Sequence, residues 1–351
     1  MRKACQKLTC LILSAMMICM AAIEAKAFNG FLPVRTYDGR VYEARPSSET
    51  TTILLIGYDH AAQGEVEELH GYSSGGQADF LLLVVLDHRF DRIHMLQIDR
   101  DTMTRVRVTD ANGRQHDRSN LQICLAHAYG NTREQNNANT VLAVETLLGI
   151  EAEDDGAQID WYMAMDISGI SRLNDLMGGV RITFTEDMTD IDPAMKAGVT
   201  LTLTGDQAEA FCRARTGVGD QTNVSRMGRQ RQYLSAAGAQ LMQLLRQNVN
   251  NGTRILDGMG VIYDQSAADA FGFGASASAT AVGDAQGHWL MTDALKKRIV
   301  NDMALAAGYE LMEPDTLPGV HSRGSNGYVC FEPEAGSAIE WALDVLYVCE
   351  D

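Results

Sequence analysis

Arginine and aspartate residues recur where the sequence predicts that strands and helices end, and their chemistry is the most specific in the chain. The stretch RIHMLQIDRDTM, residues 92–103, runs as an apolar strand and then reaches Asp99, Arg100 and Asp101. A surface cluster of ion pairs is one interpretation. The other is that Arg100 and an aspartate lie at the rim of an anion site, because a guanidinium group is a strong partner of phosphate.

Two further aspartates lie at the ends of neighbouring predicted strands. Asp59 ends the strand TTILLIGYD, residues 51–59, and Asp79 begins the strand ADFLLLVVLD, residues 78–87. Adjacent strands would bring these ends together, and two carboxylates at strand ends commonly hold Mg²⁺ beside the phosphates of a substrate. Ordinary turn chemistry after Gly57 is the alternative explanation for Asp59.

Two helical segments supply more cationic side chains. Arg213 and Arg215 are two residues apart at the end of a predicted helix, so they point the same way if the chain is extended there. Arg226, Arg229 and Gln230 share one face of the next helix near its N-terminus, where the helix dipole also favours an anion. A solvated helix face and the neutralisation of local acids are the alternatives.

The elements that must position these residues alternate between strands and helices. Apolar runs predict strands over residues 51–59 and 78–87, and the turn DHRFD joins the second run to a third strand in a hairpin. Helical spacing and capping residues predict helices over residues 136–150, 168–179, 204–215, 224–247, 292–308 and 332–347. Shorter strands are predicted over residues 159–167 and 180–184, and residues 257–290 are predicted as loop. We therefore expect an α/β fold, a three-layer α–β–α sandwich on a mixed central sheet.

The N-terminal segment has the pattern of a targeting signal. The basic MRKACQK precedes the apolar run of residues 8–23, and Ala25 and Ala27 have the spacing of a cleavage site. The run is shorter than the roughly 20 residues of a spanning helix, so residues 1–27 are either a cleaved signal peptide or a retained membrane anchor. Both alternatives place the body outside the cell membrane, secreted in the first case and anchored in the second. Residues 28–50 are predicted as a linker.

Composition excludes several classes of protein. The formal net charge is −17, and the first 27 residues contribute +3, so the remainder carries −20. So acidic a body is repelled by nucleic-acid backbones. P-loop, H-E-x-x-H and G-x-S-x-G motifs are absent from the sequence. The segment GFGASA, residues 272–277, follows no predicted strand, which argues against a dinucleotide site.

Four cysteines lie outside the targeting segment: Cys124, Cys212, Cys330 and Cys349. Neither a C-x-x-C pair nor a histidine at metal-ligand spacing accompanies them, which argues against a zinc site. Export would permit a disulfide between Cys330 and Cys349, and buried free thiols are the alternative.

The ordered motifs of residues 51–247 resemble those of the LytR–CpsA–Psr family, the phosphotransferases of bacterial cell-wall assembly. ILLIGYD, LMGGVRI and LTGDQAEAFCRAR look like the family's ILLIG-x-D, L-G-G-V and L-x-G-x-x-A-L-x-Y-x-R-x-R. QIDRDT, residues 97–102, is similar to S-I-P-R-D-T, and QAD, residues 77–79, stands at R-S-D. NLQICLAHAYGN and NVSRMGRQRQ are similar to K-x-N-x-A-Y-x-x-G and D-x-x-R-x-x-R-Q.

The resemblance implies a function and a site. The donor would be a glycan linked to polyprenyl pyrophosphate, with its lipid in an apolar pocket between sheet and helices, and the acceptor would be a peptidoglycan hydroxyl. Asp59 and Asp79 would hold Mg²⁺. Asp101 would orient Arg100 or act as the base on the acceptor. The pyrophosphate would be bound by Arg100, Arg213 and Arg215, with a surrounding set of Gln77, Asn223, Arg226, Arg229 and Gln230.

Three departures from the family's motifs keep an alternative function open. Gln77 replaces an arginine, Asp99 replaces a proline, and Asn223 replaces an aspartate. The first two weaken the binding of an anion, as expected of a non-catalytic extracellular protein that binds lipid pyrophosphate or wall glycan. In both cases residues 51–256 would form the family domain, and residues 257–351 would be a C-terminal extension packed on it.

Overall fold

The computed structural model describes residues 34–46, 49–59, 76–110, 112, 114–130, 133–150, 157–167, 169–220, 222–261, 271–275, 309–324 and 327–350. These residues form two compact units. The strand unit contains the described residues of 34–164, 273–275 and 313–350, and the helix unit contains those of 165–272 and 309–312. The predicted targeting segment and the predicted helix over residues 292–308 lie outside the described residues.

The strand unit is built on a mixed sheet. Its strands lie side by side in the order β11 (Phe271–Ala275), β8 (Trp161–Asp166), β3 (Thr50–Asp59), β4 (Gln77–Asp87) and β5 (Arg92–Ile98). β3, β4 and β5 are antiparallel neighbours, whereas the short β13 (Asp315–Thr316) pairs parallel with β5. The predicted hairpin and the predicted mixed α/β fold are therefore confirmed.

The central strands are buried because their apolar residues are continuous rather than alternating. Ile53, Leu54, Leu81 and Val84 are almost completely excluded from solvent. A run of this kind is typical of a strand that is covered on both faces. The strand ends are different, because there the chain changes to aspartate, glutamine and arginine, and these polar ends carry the candidate site.

The prediction of a linker over residues 28–50 is wrong for the part of it that forms strands. β1 (Val34–Tyr37) and β2 (Arg40–Ala44) form a hairpin around Asp38 and Gly39, which both have positive φ angles. An Asp-Gly pair between two strands is a strong hairpin signal. The C-terminal strand β16 (Tyr347–Glu350) then pairs with β2, which a local analysis of either segment does not reveal.

Another hairpin and two helices also belong to the strand unit. β6 (Met103–Thr109) and β7 (Gln115–Gln122) form the hairpin, which the sequence analysis did not predict, and a 3-10 helix follows at Ile123–Tyr129. The predicted helix α1 (Arg133–Leu148) packs on β6 and on the 3-10 helix, and it ends at Gly149, whose φ is +67°.

The last predicted helix is shorter than expected. It begins at residue 337, as α6 (Ser337–Leu346), because the preceding residues form the hairpin strands β14 (Gly319–Arg323) and β15 (Val329–Pro333). Leu343 is buried, while Trp341 is half-buried and donates from Nε1 to Asp315 at 2.8 Å.

The helix unit contains the predicted helices between residues 168 and 247. They are α2 (Gly169–Leu176), α3 (Gly205–Arg213) and α4 (Asn223–Gln247), accompanied by α5 (Asn250–Val261) and the short strands β9 (Arg181–Thr183), β10 (Thr200–Thr202) and β12 (Glu310–Leu311). Thr204 begins α3 with a capping box, in which its side chain and that of Gln207 cap each other's backbone. The loop prediction over residues 257–290 is wrong at its start and at β11, because α5 continues to Val261.

All four cysteines of the described residues are free thiols, so the structure contains no bond between Cys330 and Cys349. Burial raises the pKa of the Cys212 thiol, and this side chain therefore stays protonated at neutral pH. None of the helices in the described ranges combines the length and the hydropathy needed to cross a membrane.

A buried ion pair joins the N-terminal and central parts of the strand unit. Arg45 donates to both carboxylate oxygens of Asp87, from Nη1 at 2.9 Å and from Nη2 at 2.7 Å, and also to the carbonyl of Val345 at 3.2 Å. Burial alone would raise the pKa of Asp87, but the hydrogen bonds from Arg45 and from the backbone of Phe90 and Arg89 hold it below its usual value.

Replacement of Arg45 with alanine is expected to lower the free energy of unfolding by about 3–5 kcal/mol, because Asp87 loses its cation in a buried position. Because the pKa of Asp87 is lowered on folding, the pair stabilises the protein fully above the unfolded carboxyl pKa of about 3.9 and loses this effect as the pH falls through the folded value. Urea unfolding of both proteins at neutral pH and at about pH 3 measures the difference. The control is Arg89→Ala, at an exposed arginine 3.5 Å from Glu49, which should cost under about 0.5 kcal/mol. An equal loss for Arg45→Ala at both pH values would contradict the assignment.

Candidate active site

The polar ends of β4 and β5 converge on the guanidinium of Arg100. Its Nη1 forms an ion pair with Asp79, and its Nη2 donates to Oε1 of Gln77 at 2.5 Å. Its Nε lies 3.4 Å from the carboxylate of Asp101, which is buried. The structure therefore brings together four of the predicted site residues, and we call Gln77, Asp79, Arg100 and Asp101 the Arg100 cluster.

A β-bulge explains why Asp79 is aimed at Arg100. Tyr58 of β3 pairs with Ala78, but the neighbouring Gly57 pairs with Phe80, so Asp79 is an extra residue on β4. Bulges bend a strand and redirect a side chain, and they are frequent beside active sites. Gly57 permits the close approach of the two strands, because a Cβ atom there would lie 3.0 Å from Cβ of Phe80.

The turn that carries Arg100 is held by its own side chains. The backbone N–H and the hydroxyl of Thr102 both donate to the carbonyl of Asp99, at 3.0 and 2.6 Å. The carboxylate of Asp99 accepts from the backbone N–H of Asp101 at 2.9 Å. Gln122, which the sequence analysis missed, donates from Nε2 to Asp101 at 2.8 Å. The turn is thus a rigid support for the guanidinium between two aspartates.

Asp59 and Asp79 are the two residues of the strand unit that could hold a metal ion. Asp59 lies opposite Gln77 in the register of β3 and β4, and Asp79 is two residues further along β4. Within the described ranges, groups of three or more acidic, histidine or cysteine side chains that could hold a metal are absent. Two carboxylates are nevertheless sufficient for Mg²⁺ when phosphate oxygens and water supply its other ligands.

The helix unit contains a second group of predicted site residues. At the start of α4, Nη2 of Arg226 donates to Oδ1 of Asn223 at 2.7 Å, and Arg226 is among the largest fully buried side chains. Gln230, one turn later, donates weakly to the carbonyl of Cys212 at 3.5 Å, and its buried Oε1 accepts no hydrogen bond from the residues that the structure describes. Asn223, Arg226 and Gln230 therefore lie together on α4.

Protein groups surround the guanidinium of Arg229. It donates to the carbonyl of Phe211, in the last turn of α3, and to the carbonyl of Ala214, the residue that follows this helix. Its Nη1 also contacts Glu186 at 2.5 Å and the hydroxyl of Ser225 at 3.0 Å. Glu186 is a further residue that the sequence analysis missed, since it lies in a loop and belongs to no motif. Arg229 thereby ties the end of α3 to α4.

Arg213 and Arg215 lie on the segment that Arg229 supports. Arg213 is the last residue of α3, and both arginines are exposed. Ala214 between them is extended, with φ −55° and ψ 137°, so the condition for parallel side chains is met at this residue. Nη1 of Arg213 lies 3.3 Å from Glu209 on the preceding turn. Exposed guanidinium groups on a supported backbone are able to bind an anion from solvent.

The sequence matches the LytR_cpsA_psr family over residues 32–258, which is more than half of the chain, and the protein belongs to this family. A curated relative is the polyisoprenyl-teichoic acid–peptidoglycan teichoic acid transferase TagU of Halalkalibacterium halodurans. It is 28% identical over 211 residues, which are 60% of this chain and 58% of that protein. The chain thus spans little more than half the length of this relative.

Solved structures share the fold. The crystal structure of Bacillus subtilis TagV matches with a TM-score of 0.56 and 21% identity, over 84% of this chain and 95% of that one. The protein gbs0355 of Streptococcus agalactiae matches with a TM-score of 0.58 and 18% identity, over 85% and 89% of the two chains. These structural matches cover a larger part of the chain than residues 32–258, which match the family.

Replacement of Arg229 with glutamine is expected to lower the free energy of unfolding by about 2–4 kcal/mol, because Glu186 and two backbone carbonyls lose a buried partner. The matched control is Arg213→Gln, one of the exposed arginines, which should change stability by less than about 0.5 kcal/mol. Chemical unfolding of the two variants measures both effects. Equal, small changes would mean that Arg229 does not support the end of α3.

Proposed function

We propose that the protein transfers a phosphate-linked glycopolymer from a polyprenyl-pyrophosphate carrier to peptidoglycan. The observation that carries the proposal is the Arg100 cluster, a guanidinium between carboxylates at the end of a buried sheet, in a chain that belongs to the LytR_cpsA_psr family. The name of the TagU relative describes this class of transfer for that protein. Donor and acceptor for this chain are inferred from it.

The reaction is a phosphoryl transfer. The oxygen of a peptidoglycan hydroxyl attacks the phosphorus that is bonded to the glycan, and the bond from this phosphorus to the oxygen of the polyprenyl phosphate breaks. The glycan phosphate becomes a diester on peptidoglycan, polyprenyl phosphate leaves, and the hydroxyl proton passes to a base. Such reactions depend on positioning and on neutralisation of charge more than on covalent catalysis.

Each group of residues has a role in this proposal. From the family resemblance, Arg100, Arg213 and Arg215 are assigned to the negative oxygens of the pyrophosphate. Arg226, Asn223 and Gln230 are assigned to substrate binding as a polar set on α4, and Arg229 holds the end of α3. Asp101 orients Arg100, since its carboxylate lies 3.4 Å from the Nε atom and is held by Gln122. Asp101 is also the candidate base.

Asp59 and Asp79 are the residues that would hold Mg²⁺ together with the substrate. When bound, the ion would neutralise charge on the pyrophosphate and on the leaving group. Asp79 already has Arg100 as a partner, so the carboxylate balances the guanidinium in the absence of substrate. The phosphate of a donor would then compete with Asp79 for Arg100.

The protein is placed at the outer face of the cell membrane in this proposal. Its apolar N-terminal run, residues 8–23, would anchor it beside the lipid carrier or direct its secretion. Residues 51–256 are proposed as the family domain, with residues 257–351 as an extension of it. The −20 charge of the body is consistent with partners other than nucleic acids.

A second candidate function follows from Gln77. It occupies the position of an arginine in the family's R-S-D motif and donates no charge, while it accepts a hydrogen bond from Arg100. With Gln77 in place of an arginine, the site has one cation fewer, and Arg100 is already paired with Asp79. Both features would suit a protein that binds lipid pyrophosphate or wall glycan without turnover.

Turnover of a short-chain polyprenyl pyrophosphate tests the two candidates. The full chain in detergent with Mg²⁺ is expected to release or transfer phosphate, and Arg100→Ala, Asp79→Ala and Arg213→Ala should each reduce the rate about 100-fold, because charge stabilisation of the transition state is lost. Arg89→Ala, at an exposed arginine of the β4–β5 turn, is the control and should leave the rate unchanged. Binding without turnover under any metal would support the second candidate function. The absence of both binding and turnover would contradict both candidate functions.

The metal assignment is tested with Asp59→Asn. This variant is expected to need about tenfold more Mg²⁺ for half-maximal turnover or donor binding, because one of two carboxylate ligands is lost. A titration with Mg²⁺ at fixed donor measures the shift, and Asp91→Asn, in the turn between β4 and β5, is the control. An unchanged Mg²⁺ requirement would remove Asp59 from the ligand set.

A further inference from the structure

The β14–β15 hairpin contacts the turn that carries Arg100. It lies beyond residues 32–258, the part of the chain that matches the family. The backbone N–H of Phe331 donates to the carbonyl of Asp101 at 2.8 Å, and Thr102 forms a parallel β-bridge with Phe331. Gln122 donates from the same Nε2 to Asp101 and to the carbonyl of Val329, both at 2.8 Å. Backbone hydrogen bonding and the side chain of Gln122 therefore join the hairpin to the turn.

A histidine of this hairpin pairs with Asp99. Nε2 of His321 lies 2.9 Å from Oδ2 of Asp99, and because an ionised carboxylate only accepts, the histidine is the donor. The other oxygen of Asp99 accepts from the N–H of Asp101. The imidazole also packs against Phe331, with 4.8 Å between the ring centroids. Asp99 thus links His321 to the backbone that supports Arg100.

The pair changes the electrostatics of the turn. Asp99 is buried and precedes Arg100 directly, so its charge opposes the binding of an anion by the neighbouring guanidinium. A hydrogen-bonded partner stabilises a buried carboxylate and disperses part of its charge. The side chain of His321 is 36% exposed, whereas that of Asp99 is 7% exposed. The hairpin therefore covers the one acid of this turn that has no proposed role towards metal or acceptor.

We propose that His321 is a positioning residue of the phosphate site: through Asp99, it holds the turn of residues 99–102 and offsets the carboxylate next to Arg100. The inference rests on the proposed function for the identity of the ligand. It assigns to the C-terminal hairpin a part in donor binding. It also explains how the chain accommodates an aspartate where the family motif has a proline.

The experiment compares four proteins as full chains in detergent. His321→Ala removes the hydrogen bond from His321 to Asp99. His321→Ala with Asp99→Asn also removes the charge, while the amide oxygen can still accept from Asp101. His116→Ala is the matched control, since His116 forms a similar pair, 3.3 Å from Asp110, on the β6–β7 hairpin. The measurements are the affinity for geranyl pyrophosphate and amide hydrogen exchange of peptides that contain residues 99–102 and 329–333.

His321→Ala is expected to bind geranyl pyrophosphate about tenfold more weakly than the unmodified chain, and both peptides should exchange faster. The double variant should return the affinity to within about twofold of the unmodified chain, because the uncompensated charge is gone. His116→Ala should match the unmodified chain in both measurements. If His321 contributed only to folding, adding Asp99→Asn would not be expected to restore the affinity for geranyl pyrophosphate.

Two results would overturn the proposal. The first is a His321→Ala protein with unchanged affinity and unchanged exchange. The second is a loss of affinity that the double variant fails to restore, including the case in which His321→Ala does not fold and the double variant remains defective. If the unmodified chain itself does not bind geranyl pyrophosphate, the proposed function fails instead, while hydrogen exchange at residues 99–102 still decides whether His321 holds the turn.

Discussion

The ion pair between Arg100 and Asp79 is the interaction on which the candidate site of the strand unit depends. A guanidinium at the end of a buried sheet is costly to desolvate, so it needs a carboxylate partner and hydrogen bonds to its other nitrogen atoms. The bulge in β4 supplies the carboxylate of Asp79, and Gln77 supplies an acceptor. Asp79 and Gln77 together hold the guanidinium of Arg100 at the strand ends.

Support for this arrangement comes from segments that are far apart in sequence. Gln122 at the end of β7 and Phe331 in the β14–β15 hairpin both bind the turn that follows β5. The helix unit shows the same principle, since Arg229 binds the carbonyls at the end of α3 and contacts Glu186. In both units, a candidate site residue lies on a backbone segment that other polar residues hold in place. A backbone held in this way loses less conformational entropy when a ligand binds.

Arg229 shows that a motif predicts the helix face on which a residue lies but not the groups that its side chain contacts. The spacing of Arg226, Arg229 and Gln230 placed all three on one helix face, and that placement is confirmed. Spacing does not reveal that protein carbonyls and Glu186 hold the guanidinium of Arg229, because the periodicity of a helix face does not specify which groups pack against it. Asp99 is similar: its charge is unfavourable in the motif, and His321, more than 200 residues later, donates a hydrogen bond to its carboxylate.

The sequence by itself determined the central hairpin, the helices α1 to α4, and the candidate residues Asp79 and Arg100, because continuous apolar runs, caps and short motifs are local signals. Only the tertiary structure decided that β2 pairs with β16, that a bulge directs Asp79 towards Arg100, and that the β14–β15 hairpin contacts the turn at residues 99–102. These features depend on pairings between distant strands. Their register is selected by the packing of the whole unit and leaves no pattern in either strand alone.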